Sequence, residues 1–139
     1  MAKNDSTQTP TETDLAAAKD LDWQLSEAMS RKDLDATMAC FWNDPNLVVV
    51  LNGSVHRGPE AARAAIKEMF DQNESIKVEV NEITHHPSGD GVVGVGTATF
   101  DLKPASGPPK LMVERWSDLR RKVDGRWVFV LDHTTVMPE

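Results

Sequence analysis

Residues 110–136 read KLMVERWSDLRRKVDGRWVFVLDHTTV. Two extended runs meet at Val123-Asp124-Gly125, a group of residues that turns a chain, so the stretch predicts a β-hairpin of Lys110–Val123 and Arg126–Val136. Two more extended runs stand before it, Ser75–His85 and Gly91–Lys103. Their connections, His86-Pro87-Ser88-Gly89-Asp90 and Pro104-Ala105-Ser106-Gly107-Pro108-Pro109, are rich in strand breakers. Four long strands in succession form a meander, which disfavours a parallel α/β fold because that fold needs helices between its strands.

The first half of the chain supplies the helices. Ala18, Leu21, Leu25, Ala28 and Met29 recur at three- and four-residue spacing from about Thr13 to Arg31 and would share one helix face. Asp33 can cap a second helix carrying Leu34, Met38 and Phe41, which Pro45 stops. Leu47-Val48-Val49-Val50-Leu51 is a buried strand by its β-branched content; Asn52-Gly53 turns it into the short return Ser54–Arg57. Gly58-Pro59-Glu60 opens a third helix, ending near Asn73, with Ala62, Ile66, Met69 and Phe70 along one face. Residues 1–12 are polar and read as a flexible N-terminal tail; residues 13–139 read as a single domain. The expected fold class is therefore α+β, with three helices on one side of a mainly antiparallel sheet.

Composition narrows the function. The net charge of −7 argues against a phosphate backbone as partner, so nucleic acid is not expected. No apolar run approaches the ~20 residues of a membrane span and residues 1–12 lack the apolar core of a secretory signal, so a cytoplasmic protein with no membrane association is expected. A lone cysteine, Cys40, and four scattered histidines supply neither a disulfide nor zinc-ligand spacing. No Gly-rich nucleotide loop is present, so no cofactor is expected. The last strand is apolar on both faces, Trp127, Phe129 and Leu131 on one and Val128, Val130 and Val136 on the other. Three helices cover only one side, and a second copy of the chain is the simplest cover for the other, so a homodimer is expected.

Several motifs resemble the nuclear transport factor 2-like superfamily, and within it the SnoaL-like and ketosteroid isomerase-like proteins. They are Arg31-Lys32-Asp33-Leu34-Asp35, Phe41-Trp42-Asn43-Asp44, Gly58-Pro59-Glu60-Ala61-Ala62 and the closing Arg115-Trp116-Ser117-Asp118-Leu119, Asp124-Gly125-Arg126-Trp127 and Asp132-His133-Thr134-Thr135. The resemblance covers about Asp14 to Val136 and implies a cone-shaped, curved, mainly antiparallel sheet with three helices, the cystatin-like architecture. It also implies a departure. Where ketosteroid isomerase carries its catalytic carboxylate on the first strand this chain has Val49, Leu25 stands where the phenolic donor should be, and the sequence contains no tyrosine. That enzyme's mechanism, a worked case of a carboxylic acid kept neutral, cannot run here in that form.

The site residues follow from strand phase and from the resembled fold. His133 is in phase with Trp127, Phe129 and Leu131 and is expected to face the interior, as a base, a donor to a carbonyl or a core histidine. Arg115 and Ser117 share a face of the preceding strand and could hold a carboxylate or enolate oxygen or form an outer-face salt bridge; a shift of one residue would send Glu114 and Trp116 inward in their place. His133 and Arg115 are thus the catalytic candidates. Trp42, Val49, Leu51, Met69 and Phe70 are expected to wall an apolar pocket or to be ordinary core, with His56 at the pocket mouth or in water, and Ser117 and Trp116 complete the ligand-binding set. Asp44 reads as a turn former or else a pocket carboxylate, Trp23 as a residue contacting a partner or covering the pocket mouth, and His85-His86 as no metal pair, because neighbours on a strand point apart. The function expected is binding of a small hydrophobic carbonyl or carboxylate compound, with turnover by cofactor-free acid/base chemistry if the protein is an enzyme. The alternative is a non-catalytic dimerisation or partner-docking module with a filled cavity.

Overall fold

The computed structural model describes residues 9–138; most of the expected tail, residues 1–8, lies outside them. Helix α1 spans Glu12–Ser30 and starts at a capping box, in which the Asp14 backbone N–H donates to Thr11 Oγ1 at 3.1 Å and the Thr11 N–H to Asp14 Oδ2 at 3.0 Å. Helix α2, Leu34–Ala39, is capped by Asp33, whose Oδ1 accepts from the Ala36 N–H at 3.0 Å. Strands β1, Val48–Leu51, and β2, Ser54–Arg57, form the expected hairpin, with Asn52 and Gly53 both at positive φ as a two-residue turn between strands demands. Helix α3, Pro59–Gln72, carries proline in its first turn. The meander follows as β3, Asn73–Ser88, β4, Gly91–Pro104, β5, Lys110–Val123, and β6, Arg126–Val136.

The six strands form one sheet in the order β2-β1-β6-β5-β4-β3, antiparallel except where β1 runs parallel to β6. The α+β class and the three helices hold, but the expected curved cone does not. The sheet is open, with β2 and β3 as its two edges. Closure would require those edges to share a ladder, and four-residue β2 pairs only with β1.

Two irregularities decide which side chains face the helices. On β6, Leu119 pairs with Leu131 but Arg120 pairs with Phe129, so Val130 is an extra residue. A bulge of this kind reverses the alternation beyond it. Phe129 is buried in the core and Asp132 and Thr134 are buried after it, whereas Leu131 is 41% exposed. On β3, a second shift between Val80 and Glu82 turns His85 toward α1. The main core gathers Leu21, Phe41, Ile66, Phe70, Phe100 and Phe129 between helices and sheet, leaving Val95, Val113 and Leu131 exposed at about 40% each on the outer face. Among the described residues no helix is long and apolar enough to cross a membrane.

Candidate functional site

A cavity of about 100 Å³ opens between the helices and the inner face of the sheet. Its wall is largely apolar and includes Phe41, Phe100, Trp116 and Phe129. Four acidic residues, Asp22, Glu114, Asp118 and Asp132, line it as well. So many carboxyl groups in an apolar wall need a physical account, because an isolated charge is costly to bury.

Two of the four are paired. Arg120, fully buried, donates to Asp22 through Nη1 at 2.8 Å and Nη2 at 3.0 Å, and to Asp118 through Nε at 3.0 Å and Nη2 at 2.7 Å. Its Nη1 also reaches the Ala18 carbonyl at 2.7 Å, and the guanidinium lies 4.8 Å from the Phe129 ring centre. All three guanidinium nitrogens are thus committed. His85 Nε2 meets Asp22 Oδ2 at 2.8 Å, which ties β3 to the same cluster. Burial raises the Asp118 carboxyl above its ordinary range, against the opposing pull of Arg120.

The other two are unpaired. Among the described residues, neither Glu114 nor Asp132 has a hydrogen bond or ion pair to a protein side chain, and both border the cavity. Burial pushes the Asp132 carboxyl up to about 8, helped by the negative charges of Asp118 and Glu114, and pushes the Glu114 carboxyl up to about 7. At neutral pH Asp132 is therefore mostly a neutral acid, while Glu114 is divided between its two forms. A hydrogen-bond donor and a proton acceptor then stand in one apolar wall.

Glycine makes the room for this arrangement. Gly94 pairs with Asp118 and Gly96 with Trp116 across β4 and β5. A Cβ on Gly94 would collide with the Arg120 guanidinium, and one on Gly96 would stand 2.8 Å from the Trp116 ring and 2.5 Å from the Glu82 carbonyl oxygen.

The expected site residues divide by face. Val49, Leu51, Met69 and Trp116 line the cavity. Trp42 packs against the core and Phe70 is buried in it, but neither borders the cavity, and half-buried His56 stands on edge strand β2 opposite Val49. His133, Arg115 and Ser117 belong to the outer face and are exposed, with His133 opposite Ser117. The interior placement expected of His133 is thus corrected, and the register left open for β5 resolves with Arg115 and Ser117 outward. The bulge at Val130 moves His133 out and Asp132 in, and β5 takes the alternative phase in which Glu114 and Trp116 point inward. Asp44 serves the turn, accepting the Asn46 N–H at 2.8 Å. Trp23 is 60% exposed and does not border the cavity, and burial pushes the Cys40 thiol up to about 11, which keeps it unreactive near neutral pH.

Asp22, His85, Asp118, Arg120 and Asp132 were not selected from the sequence. A signal for two of them was present, because Gly94, Gly96 and Ala98 lie on one strand face and large partners must fill the space they leave. Placing Trp116 against Gly96 brings Asp118 and Arg120 inward on the same strand. Nothing comparable marks the two bulges.

Solved structures of the same architecture include a hexachlorocyclohexane dehydrochlorinase, LinA type 2, with a TM-score of 0.80 at 16% identity over 91% of this chain and 86% of its own. A candidate dehydratase of the nuclear transport factor 2-like family from Streptomyces avermitilis gives 0.78 at 16% identity over 92% of this chain and 99% of its own. A protein of unknown function with a cystatin-like fold from Nostoc punctiforme PCC 73102 gives 0.76 at 18% identity over 95% and 97%. Likeness at these identities carries the fold alone. No curated protein sequence matches the chain. The profile of the SnoaL-like domain does match, over residues 24–130, a span that runs from the middle of α1 into β6 and takes in Asp118 and Arg120. On that match, which covers well over half of the chain, the chain belongs to the SnoaL-like domain family.

Proposed function

We propose that the cavity binds a small, uncharged, mainly apolar carbonyl compound and that Asp132 and Glu114 turn it over by cofactor-free proton transfer. The observation that carries this reading is the pair of unpartnered carboxyls in one apolar wall, one mostly protonated and the other partly ionised at neutral pH. A neutral Asp132 can donate its O–H to a carbonyl oxygen. Glu114 in its ionised form can take the proton from the adjacent carbon, leaving an enol held by Asp132. Return of the proton to a different carbon completes an isomerisation, and loss of a β-hydroxyl as water completes a dehydration. Every proton that leaves the substrate is held on a named carboxyl.

The charge of the wall supports a neutral ligand over the carboxylate compound also expected from the sequence. Four acidic residues line the cavity, and the guanidinium behind them is already committed. A cavity of about 100 Å³ suits a ring of five or six carbons and not a steroid. The open cavity also speaks against the filled-cavity alternative. Dimerisation is compatible with either function, and we place it on the outer sheet face at Val95, Val113 and Leu131, which are exposed there.

The test is exchange of the α-protons of cyclopentanone in deuterated buffer, followed by NMR. Wild-type protein should accelerate exchange over buffer, and Asp132→Asn and Glu114→Gln should each lower the acceleration by about a hundredfold, the scale of one positioned acid or base. Acceleration unchanged in both variants, or none by wild type, rejects the reading.

A further inference from the structure

The only charged side chains bordering the cavity, among the described residues, are the carboxyls of Asp22, Glu114, Asp118 and Asp132. The nearest cation cannot serve a ligand, since the Arg120 nitrogens are taken up by Asp22, Asp118 and the Ala18 carbonyl. Asp132 is only 8% exposed, has no hydrogen-bond or ion-pair partner among the described residues and stands directly opposite Asp118. The same wall carries four aromatic rings, those of Phe41, Phe100, Trp116 and Phe129. Carboxylates beside aromatic faces are the surroundings that recognise an ammonium group, by charge on one side and by ring quadrupole on the other.

We propose that this cavity is a binding site for a small apolar amine, taken up as its ammonium cation with release of one proton from the Asp132 and Glu114 carboxyl pair. The inference rests on the reading that the cavity is a ligand site, and not on turnover. The balance is simple. The ammonium enters with its positive charge, a carboxylic acid of the pair loses its proton to solvent, and the cavity ends with an ammonium–carboxylate pair of no added charge. A neutral ligand of the same shape has no reason to displace that proton, and a carboxylate meets repulsion.

The groups facing Asp132 set the pH dependence. Asp118, Glu114 and Arg120 come from β5 and Asp22 from α1, with His85 of β3 reached through Asp22. Helix α3 and strand β1 contribute only apolar side chains to the cavity, Ala65, Ile66, Met69, Val49 and Leu51. Acid therefore keeps the pair neutral and opposes uptake of the cation. Mild base ionises it while a simple alkylamine remains protonated.

Three probes on one ring test this with the full chain: cyclopentylamine, cyclopentanone and cyclopentanecarboxylate, measured by calorimetry in two buffers of different protonation heat. The amine should bind about tenfold more tightly at pH 8 than at pH 6, with about one proton released per amine near pH 7. The carboxylate should bind at least about tenfold more weakly than the amine. In the double variant Glu114→Gln with Asp132→Asn, the amine should lose at least about tenfold in affinity and its proton release. Asp132→Asn alone replaces the double variant if the latter does not give a cooperative melt. Binding of the ketone without the amine overturns this inference and leaves the carbonyl reading standing. An amine bound without proton release, or bound equally by the variant, overturns it as well. Failure of all three probes to bind removes both readings.

Discussion

Asp118 on β5 and Asp132 on β6 are direct cross-strand partners, and both side chains lie on the helix-covered face of the sheet. Opposed like charges at this position destabilise a ladder. The pair persists because Arg120 neutralises one member, while burial and the first charge keep the other protonated. A single ionised carboxylate per pair is the state the low-dielectric interior permits.

That state has a consequence for stability. The folded protein holds protons on Asp132 up to about pH 8 and on Glu114 up to about pH 7, whereas their ordinary values are 3.8 and 4.5. The native state thus binds more protons than the unfolded chain between those limits. The stability these two groups contribute is fully present only below their ordinary values and is lost progressively as pH rises from there through about 7 for Glu114 and about 8 for Asp132. Asp132→Asn removes the dependence at one group, so it should raise stability by at least about 2 kcal/mol at pH 9 and by little at about pH 4. Urea melts of both proteins at the two pH values check this; a variant less stable than wild type at pH 9 contradicts it.

Gly94 and Gly96 make a packing prediction. Gly94→Ala drives a methyl into the Arg120 guanidinium, whose nitrogens have no free direction in which to move. The expected loss is about 1–3 kcal/mol or more from overpacking and displacement of the ion cluster. Gly89→Ala is a control of a different kind, with open space but a φ of +59°, and should cost only the backbone strain of about 1 kcal/mol. Thermal unfolding of the two variants should place Gly94→Ala well below Gly89→Ala, and equal midpoints would contradict the packing account.

Much of the fold was legible from spacing and turn chemistry. The helix faces around Leu21 and Ile66, the Asn52-Gly53 and Asp124-Gly125 turns and the four-strand meander all follow from local signals that tertiary packing reinforces. The site was less legible because its placement depends on an extra residue in each of two strands. Strict alternation carries His133 inward with Trp127 and Phe129; one bulge at Val130 exchanges it for Asp132. The irregularity between Val80 and Glu82 likewise joins His85 to Asp22, a contact across 63 residues that no local pattern encodes. The open edges of the sheet were missed for a related reason, since whether β2 and β3 meet is a property of the assembled sheet and not of either strand.

The outer face predicts assembly. Val95, Val113 and Leu131 present apolar side chains on strands β4, β5 and β6, and among the described residues no element covers them. A second copy placed there would bury roughly 1,200 Å² or more in total. Light scattering at micromolar concentration should give a dimer, and Leu131→Asp should give a folded monomer. A monomeric wild type would remove the proposed interface.

The central claim is that Asp132 is a neutral acid at pH 7 because the fold buries it opposite an ionised Asp118. Carbon-13 NMR of the aspartate carboxyls, with Asp132 assigned by its absence in Asp132→Asn, tests this most directly. The account predicts a carboxyl carbon that titrates near pH 8 and moves to lower pH in Asp118→Asn, where the opposing charge is gone. An Asp132 carboxyl that titrates near 4, as on an exposed aspartate, would contradict it.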